Sequence, residues 1–341
     1  MKLALMSGAY KNAGDFLIEH RSKKLLEKVY PEAHIDVMKR DISYDDQIDK
    51  LNTYDAIVFG GGPGFQKNIY PDKIPFVSDL SEIKVPCAVI GWGWKSKDIK
   101  NSSVYNKNIF TKSMKNFIEF LDKDENSISC RDWYTKQMLN NYGYMDAVMT
   151  GCPAWYDTDR VEKLAYKGCT LNREAAYIIV SDAAFGRNTK YTLMLIGKIR
   201  EMFPKARIKL LFHRGINGDN EILTRKENLT KYNYEYEDIS GSVDGFAQYD
   251  ECDLHIGFRV HAHIYNLSHG NTSLLINEDA RGFGVNDALG LPNILIDRFI
   301  GGSIENQINI IMQSEGICFN NSSNAIKNQY NQMIDYIRGI L

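Results

Sequence analysis

Residues 252–270 of the chain are CDLHIGFRVHAHIYNLSHG, and the hydrophobic periodicity changes within this stretch. The apolar run at residues 254–257 is short and is typical of a buried strand. The apolar residues that follow, Val260, Ile264 and Leu267, are spaced four and three apart, which predicts a helix. A strand that passes directly into a helix is the repeating unit of a parallel sheet covered by helices. The segment therefore predicts an α/β fold.

The same alternation extends in both directions along the chain. Short apolar runs predict strands at residues 2–6, 35–38, 56–59, 87–90, 127–130, 147–150, 176–180, 208–212, 254–257 and 273–276. Helical periodicity is found at residues 15–29, 108–121, 133–140, 191–202, 243–249 and 304–341. The pattern restarts after a polar break between Tyr156 and Glu174. We therefore predict two doubly wound, Rossmann-like domains, residues 1–165 and 166–303, with a cleft between them and with helices at residues 304–341 that close the fold.

The composition is that of an ordinary soluble globular protein and excludes several functional classes. The 341 residues are 44% hydrophobic and 25% charged, and the net charge of −2 predicts no broad attraction to nucleic acid or anionic membranes. The sequence has no run of about 18 apolar residues, so no transmembrane segment is predicted. The apolar stretch before Ser7 is too short for a signal peptide. The six cysteines are scattered without CxxC pairs, which predicts reduced thiols in a cytoplasmic protein.

Four of the seven histidines lie within residues 252–270. His261 and His263 could share a metal ion on an extended strand, but on a helix they point about 200° apart, which disfavours a metal site. Arg259 and His261 lie where the strand turns into the helix, and free amides at a helix N-terminus favour an anion. A guanidinium suits a carboxylate or phosphate, and a histidine can supply a proton near neutral pH. The alternative is that Arg259 pairs with a structural carboxylate and His261 packs in the core, and the sequence leaves both open.

Other candidate residues also follow predicted strands, where ligands bind in doubly wound folds. Gly61 and Gly62 belong to GGGPGF, which is predicted to be a turn after the strand at residues 56–59. Such glycines allow the backbone to approach a ligand closely, although the spacing is not that of a dinucleotide fingerprint. Arg131 precedes Asp132, which is either a functional carboxylate or a helix N-cap. Asp15 has the same two interpretations. Cys152 has no base near it in sequence, which disfavours a nucleophilic thiol.

Taken together, these motifs resemble the polysaccharide pyruvyl transferase family. The similarity runs in order from about residue 7 to residue 290, through NAGDFLIE, FGGGPGF, SISCRDWYT, TGCPAW, CDLHIGFRVHAHI and NEDARGFG. The most specific element is the run from Arg259 to Ala262, in which the family usually has leucine where Val260 stands. The segment GWGWK at residues 91–95 also departs from the family, which more often has a glycine-rich turn without tryptophan there.

The resemblance implies a GT-B-like fold and the transfer of pyruvate from phosphoenolpyruvate to a sugar as a cyclic ketal, in the synthesis of a bacterial cell-surface or capsular polysaccharide. It implies His261 as the general acid and Arg259, Arg131 and Arg281 as donor-binding residues, with the backbone of Gly61 and Gly62 beside them. Asp15 is the candidate for activating the acceptor hydroxyl. Neither a cofactor nor a metal is implied. The expected partners are the donor and a sugar or lipid-linked glycan, with loose association at the cytoplasmic membrane face if the acceptor is lipid-linked.

Three rival functions remain open at the level of sequence. A glycosyltransferase of the same architecture would bind a nucleotide sugar and would need a carboxylate for the ribose, for which Glu278 and Asp279 are placed after a strand. A non-catalytic glycan-binding relative would not require the proton donor that His261 offers. Metal-dependent hydrolysis would require bound zinc at His261 and His263, against the helical spacing.

Overall fold

The computed structural model describes residues 1–96, 109–123, 127–168, 171, 176–296, 302–314 and 316–341. The predicted helix start at residue 108 and part of the predicted polar break, residues 169–170 and 172–175, lie outside this range. The described chain forms two parallel β-sheets, each covered by helices on both faces. The doubly wound α/β architecture predicted from the sequence is confirmed.

The first half of the described chain forms a seven-stranded sheet in which every pairing is parallel. The strands are β1 (Lys2–Ser7), β2 (His34–Lys39), β3 (Ala56–Phe59), β4 (Gly62–Phe65), β5 (Cys87–Trp94), β6 (Ile128–Cys130) and β7 (Val148–Met149). Their spatial order is β2-β1-β3-β5-β6-β7, with β4 beside β5. The helices of this half are α1 (Ala13–Val29), α2 (Ile48–Leu51), α3 (Ile69–Asp72), α4 (Lys112–Leu121) and α5 (Trp133–Asn141).

The second half forms a six-stranded parallel sheet in the order β10-β9-β8-β11-β12-β13, counted over the described residues. Its strands are β8 (Tyr177–Ser181), β9 (Arg207–Phe212), β10 (Glu235–Asp238), β11 (Leu254–Gly257), β12 (Ser273–Asn277) and β13 (Ile294–Leu295). Its helices are α6 (Thr189–Met202), α7 (Lys226–Tyr232), α8 (Val260–Ser268) and α9 (Ala280–Ala288), followed by α10 (Ser303–Gln313) and α11 (Ile317–Arg338). In the described ranges no helix is both long and apolar enough to cross a membrane.

Backbone pairing accounts for the main differences from the predicted elements. The glycine-rich stretch predicted as a turn forms the short strand β4, because Gly62 and Phe65 pair with Trp92 and Trp94 of β5. Strand β5 is accordingly eight residues long and entirely buried, well beyond the predicted end at residue 90. The helix predicted at residues 243–249 is a 3₁₀ helix, Asp244–Glu251. Helix α7 and the polar edge strand β10 were not predicted.

The two halves are joined through α1, α8 and α11. Arg21, buried on α1, donates from Nη1 to the Ser268 hydroxyl of α8 at 2.8 Å. Helix α11 follows the second sheet in sequence but packs against the first half. The Tyr336 hydroxyl donates to the carbonyl oxygen of Val89 in β5 at 2.8 Å, and the Ile337 carbonyl accepts from the Tyr30 hydroxyl at 2.6 Å. The first sheet is therefore covered partly by a helix from the far end of the sequence.

Candidate active site

The carboxyl ends of the strands in the two sheets face one another across a cleft. Backbone hydrogen bonds connect the two rims: Ala13 N donates to His213 O at 2.8 Å, and Gly241 N donates to Lys11 O at 2.7 Å. A third joins Ala280 N to Ser96 O at 3.2 Å. Residues that follow β1 and β5 are thus held beside residues that follow β9, β10 and β12. This is the position at which ligands bind in doubly wound folds.

His261 lies in the first turn of α8, at the centre of this cleft. Its imidazole contacts the first turn of α1, since a Cβ added at Gly14 would overlap with the ring. Burial, with smaller contributions from the guanidinium groups of Arg281, Arg131 and Arg259, lowers the pKa of His261 to about 3. The three arginines predicted for the donor site therefore converge on the predicted acid, and the imidazole of the free protein is neutral.

Arg259 is the N-cap residue of α8, and its guanidinium is held by a buried carboxylate. Nε donates to Asp182 Oδ1 at 2.7 Å and Nη2 donates to Oδ2 at 2.6 Å, while Nη2 also reaches the Ala183 carbonyl at 3.1 Å. The structural pairing that the sequence left open is therefore present. The same side chain also lines a pocket of about 420 Å³ together with Lys11 and Arg214, so the pairing does not remove Arg259 from the cleft.

Arg131 is fully buried behind the end of β5. Its Nη2 donates to the Trp94 carbonyl at 3.3 Å, and its Nε lies 3.3 Å from Asp132 Oδ2. Asp132 caps α5 by accepting from Thr135 N at 2.8 Å, which is one of its two sequence interpretations. The cap and the ion pair together fix the guanidinium relative to the cleft.

Arg281 lies in the first turn of α9 and folds back on the residue that caps this helix. Its Nε and Nη2 are both 2.8 Å from Asp279 Oδ2, and Asp279 Oδ1 accepts from Arg281 N at 3.0 Å. Arg281 is near enough to affect the pKa values of His261, Asp15 and Lys95. It is therefore a cation that acts on groups at both sides of the cleft.

Asp15 lies opposite, in the first turn of α1. Burial raises its pKa, while Arg40, a hydrogen bond from Asn12, Arg281 and Arg214 oppose the rise. Asp15 is not the N-cap, which was one of its sequence interpretations; Asn12 caps α1 by accepting from Gly14 N. Arg40, which follows β2, was missed by sequence reasoning, although its place directly after a strand was an available signal.

Gly61 and Gly62 contact protein groups in this structure. A Cβ at Gly61 would press on Pro153 and Ile18, and its carbonyl accepts from Arg40 Nη1 at 3.2 Å. Gly62 has a φ of +117°, which favours glycine. Close packing thus explains Gly61 and the backbone angle explains Gly62, and their approach to a donor stays a prediction.

The remaining candidates have mainly structural contacts. Glu278 accepts from Ala184 N and from Asn188 Nδ2, both at 2.7 Å, so its carboxylate holds the loop after β8. His263 Nδ1 lies 2.7 Å from the Ser273 hydroxyl, whereas His261 contacts Gly14, so the two histidines do not converge on one point. Burial raises the pKa of the Cys152 thiol, which opposes a nucleophilic role.

Comparison with known proteins adds a family and a fold. A profile of the family described as polysaccharide pyruvyl transferase matches residues 12–273, more than half of the chain. No curated protein sequence matches significantly. Among solved structures, UDP-GlcNAc 2-epimerase from Neisseria meningitidis bound to UDP-GlcNAc is similar, with 10% identity, coverage of 98% of this chain and 99% of that chain, and a TM-score of 0.58.

Two other structures are similar over comparable lengths. The S. aureus MnaA–UDP complex has 11% identity, coverage of 98% and 95%, and a TM-score of 0.55. A putative UDP-N-acetylglucosamine 2-epimerase from Listeria monocytogenes has 10% identity, coverage of 95% and 90%, and a TM-score of 0.51. At this identity the likeness concerns the fold, which is GT-B-like, with two Rossmann-like domains.

Proposed function

Because the chain belongs to the polysaccharide pyruvyl transferase family, we propose that it transfers pyruvate from phosphoenolpyruvate to a pair of sugar hydroxyls as a cyclic ketal. The observation that carries the proposal is the convergence of Arg281, Arg131 and Arg259 on His261. Phosphoenolpyruvate has a carboxylate and a phosphate on adjacent atoms, and such a ligand needs several fixed cations around one proton donor. No further cofactor is required by this chemistry.

Donor binding is proposed to raise the pKa of His261, so that this residue can act as the acid. In the free protein the arginines and burial keep the imidazole neutral. A bound phosphate and carboxylate offset the charge of those arginines, which raises the pKa of His261 and favours the imidazolium. The proton is then available next to the bound donor and not in the empty cleft.

The reaction balances with the residues described. His261 gives a proton to the methylene carbon, and a sugar hydroxyl adds at C2 as it gives its own proton to Asp15. The C2–O bond to phosphate then breaks, phosphate leaves with the electron pair and takes the proton held by Asp15, and the second hydroxyl closes the ketal and gives its proton to His261, which restores the imidazolium. Asp15 is the group proposed to accept a hydroxyl proton, because it is a partly buried carboxylate across the cleft from His261 with Arg40 beside it.

The acceptor is proposed to be a sugar of a cell-surface or capsular polysaccharide precursor, free or lipid-linked. With a lipid-linked acceptor, the protein would work at the cytoplasmic membrane face, where the donor is available. The non-catalytic alternative is opposed by the arrangement of His261 among three cations, since glycan binding alone needs no such group. The nucleotide-sugar alternative is opposed by Glu278 and Asp279, whose carboxylates are engaged with the loop after β8 and with Arg281.

The test is thermal unfolding of the protein with phosphoenolpyruvate, UDP-sugars or GDP-sugars, with and without EDTA. A ligand at about 100 times its dissociation constant adds roughly 2.7 kcal/mol to the free energy of unfolding, which a melting curve resolves. We expect a shift with phosphoenolpyruvate that EDTA does not change and that the double variant His261→Ala/Arg259→Ala abolishes. The matched control, His20→Ala on an exposed part of α1, should keep the shift. A shift with a nucleotide sugar alone would identify a glycosyltransferase instead.

A further inference from the structure

The end of strand β5 lies between two of the donor-binding arginines. The Trp94 carbonyl accepts from Arg131 Nη2 at 3.3 Å, and a Cβ at Gly93 would overlap with the same guanidinium. Two residues later, Ser96 O accepts from Ala280 N, which precedes Arg281 in α9. Lys95 therefore stands between Arg131 and Arg281, at the cleft.

The direction of the Lys95 side chain follows from the pleat of the strand. Trp92 and Trp94 are buried on the face that packs against Phe59, Phe65 and other aromatic residues of the first half. Strand β5 ends at Trp94, but Lys95 N still donates to Phe65 O at 3.2 Å, so the pairing with β4 extends one residue past the strand. Because alternate residues point to opposite faces, Lys95 shares the face of Gly93, which meets the Arg131 guanidinium. The side chains of Trp92 and Trp94 thus pack in the core, and the side chain of Lys95 is directed to the cleft.

The charges around Lys95 are predominantly positive. Arg281, Lys73 and Arg214 act on Lys95 as cations, and Asp279 acts on it as a carboxylate that is already bound to Arg281. Within the described residues, Lys95 has no carboxylate within ion-pair distance. Burial lowers the pKa of Lys95, and Arg281 and Lys73 lower it further. By contrast, Arg131 and Arg259 each have their own carboxylate, Asp132 and Asp182.

We propose that Lys95 binds the phosphate of the donor, so that the phosphate lies toward Lys95 and Arg281 and the carboxylate toward Arg131. The proposal rests on the proposed function. Phosphate carries more negative charge than carboxylate. We therefore expect it to bind where the cations are least neutralised by protein carboxylates. An ammonium group is a compact charge with three donors, well suited to phosphate oxygens. When the C2–O bond breaks, the same ammonium offsets the charge that develops on the leaving phosphate.

The experiment compares Lys95→Met with Lys95→Arg and with a matched control, Lys84→Met, which changes an exposed lysine away from the cleft. Phosphoenolpyruvate KM, kcat and inhibition by two probes, inorganic phosphate and pyruvate, are measured for each. We expect Lys95→Met to weaken phosphate inhibition and to raise the KM by at least about tenfold, because a charged hydrogen bond is lost. Inhibition by pyruvate should change little, Lys95→Arg should recover part of the phosphate inhibition, and melting temperatures should stay equal.

The possible failures are distinguishable. Unchanged KM and phosphate inhibition in Lys95→Met would overturn the assignment of Lys95 and leave the proposed function standing. Equal weakening of pyruvate and phosphate inhibition would overturn the phosphate assignment in particular. If the wild type neither binds nor turns over phosphoenolpyruvate, yet binds inorganic phosphate through Lys95, the proposed function fails and the anion site remains.

Discussion

At the scale of single residues, the protonation of His261 should couple donor binding to proton uptake, which can be measured. The imidazole is neutral in the free protein, because burial and three arginines lower its pKa. Donor anions oppose that shift, so donor binding should be accompanied by proton uptake, with one proton per site as the upper limit. Affinity should accordingly fall as pH rises through the pKa of His261 in the complex. Calorimetry in buffers of different ionisation enthalpy measures the uptake directly.

His261→Gln is the control for this prediction, since an amide preserves polarity and cannot take up a proton. Donor binding to this variant should involve no proton uptake at residue 261, and transfer should be lost. An undiminished uptake in the variant would assign the proton to another group, such as the phosphate of the donor.

The same scale shows what sequence can and cannot reveal about the site. Arg131, Arg259 and His261 could be identified as candidates because they lie just beyond predicted strand ends, whereas their roles, and the choice of Arg281, came from the resemblance to the family. The pairing of Arg259 with Asp182 could not, because 77 residues separate them and no local pattern links them. Arg40 was overlooked because its relevance depends on Asp15, which only the fold brings close.

At the scale of elements, the contact between the first turns of α1 and α8 sets the position of His261. A Cβ at Gly14 would overlap with the imidazole, so Gly14→Ala must displace the ring or the helix. We expect kcat to fall about 100-fold, as for other misplacements of a catalytic group by about 1 Å. The free energy of unfolding should also fall, because overlap with the Nδ1 and Cγ atoms of a buried ring costs about 1–3 kcal/mol, whereas alanine is the better helix residue by only about 0.5–1 kcal/mol.

Steady-state kinetics and urea unfolding of Gly14→Ala check this prediction, with His20→Ala on the same helix as the control. Full activity in Gly14→Ala would mean that the imidazole can move freely, and the contact between the helices would then have no part in positioning it.

A strand or helix could be predicted where the hydrophobic pattern within its own residues indicates it. Strand β3 was predicted with correct bounds, since four consecutive apolar residues lie between polar and glycine-rich stretches. Strand β10, EYED, was missed because an edge strand with mostly exposed side chains has no apolar alternation. The sequence of Gly62–Phe65 predicts a turn, because this segment is a strand only through its backbone pairing with the distant β5.

At the scale of the whole molecule, buried neutral histidines predict loss of stability in acid. His213, His255 and His263 are at most 1% exposed, and burial is the main cause of the lowered pKa of each. The folded pKa lies below the unfolded value, so the unfolded chain binds more protons as pH falls below about 6.5. Each such histidine then reduces the free energy of unfolding by up to about 1.4 kcal/mol per pH unit.

Urea unfolding at pH 7.5 and pH 5.5 tests this expectation, with the exposed histidine changed in His34→Gln as a control that should not alter the difference. Asp15 and Glu278, whose pKa values burial raises, act in the opposite direction and reduce the effect. A free energy of unfolding that is higher at pH 5.5 than at pH 7.5 would contradict the prediction.

The docking of α11 on the first sheet has a consequence for the order in which the molecule is made. The hydroxyl that bonds to Val89 belongs to a residue 247 positions later in the chain. At ribosomal speeds of about 5–20 residues per second, that separation is on the order of 10–50 s of synthesis. During this interval the strands of the first half exist without α11, which covers part of them. The first half is therefore complete only after α11 has been synthesised.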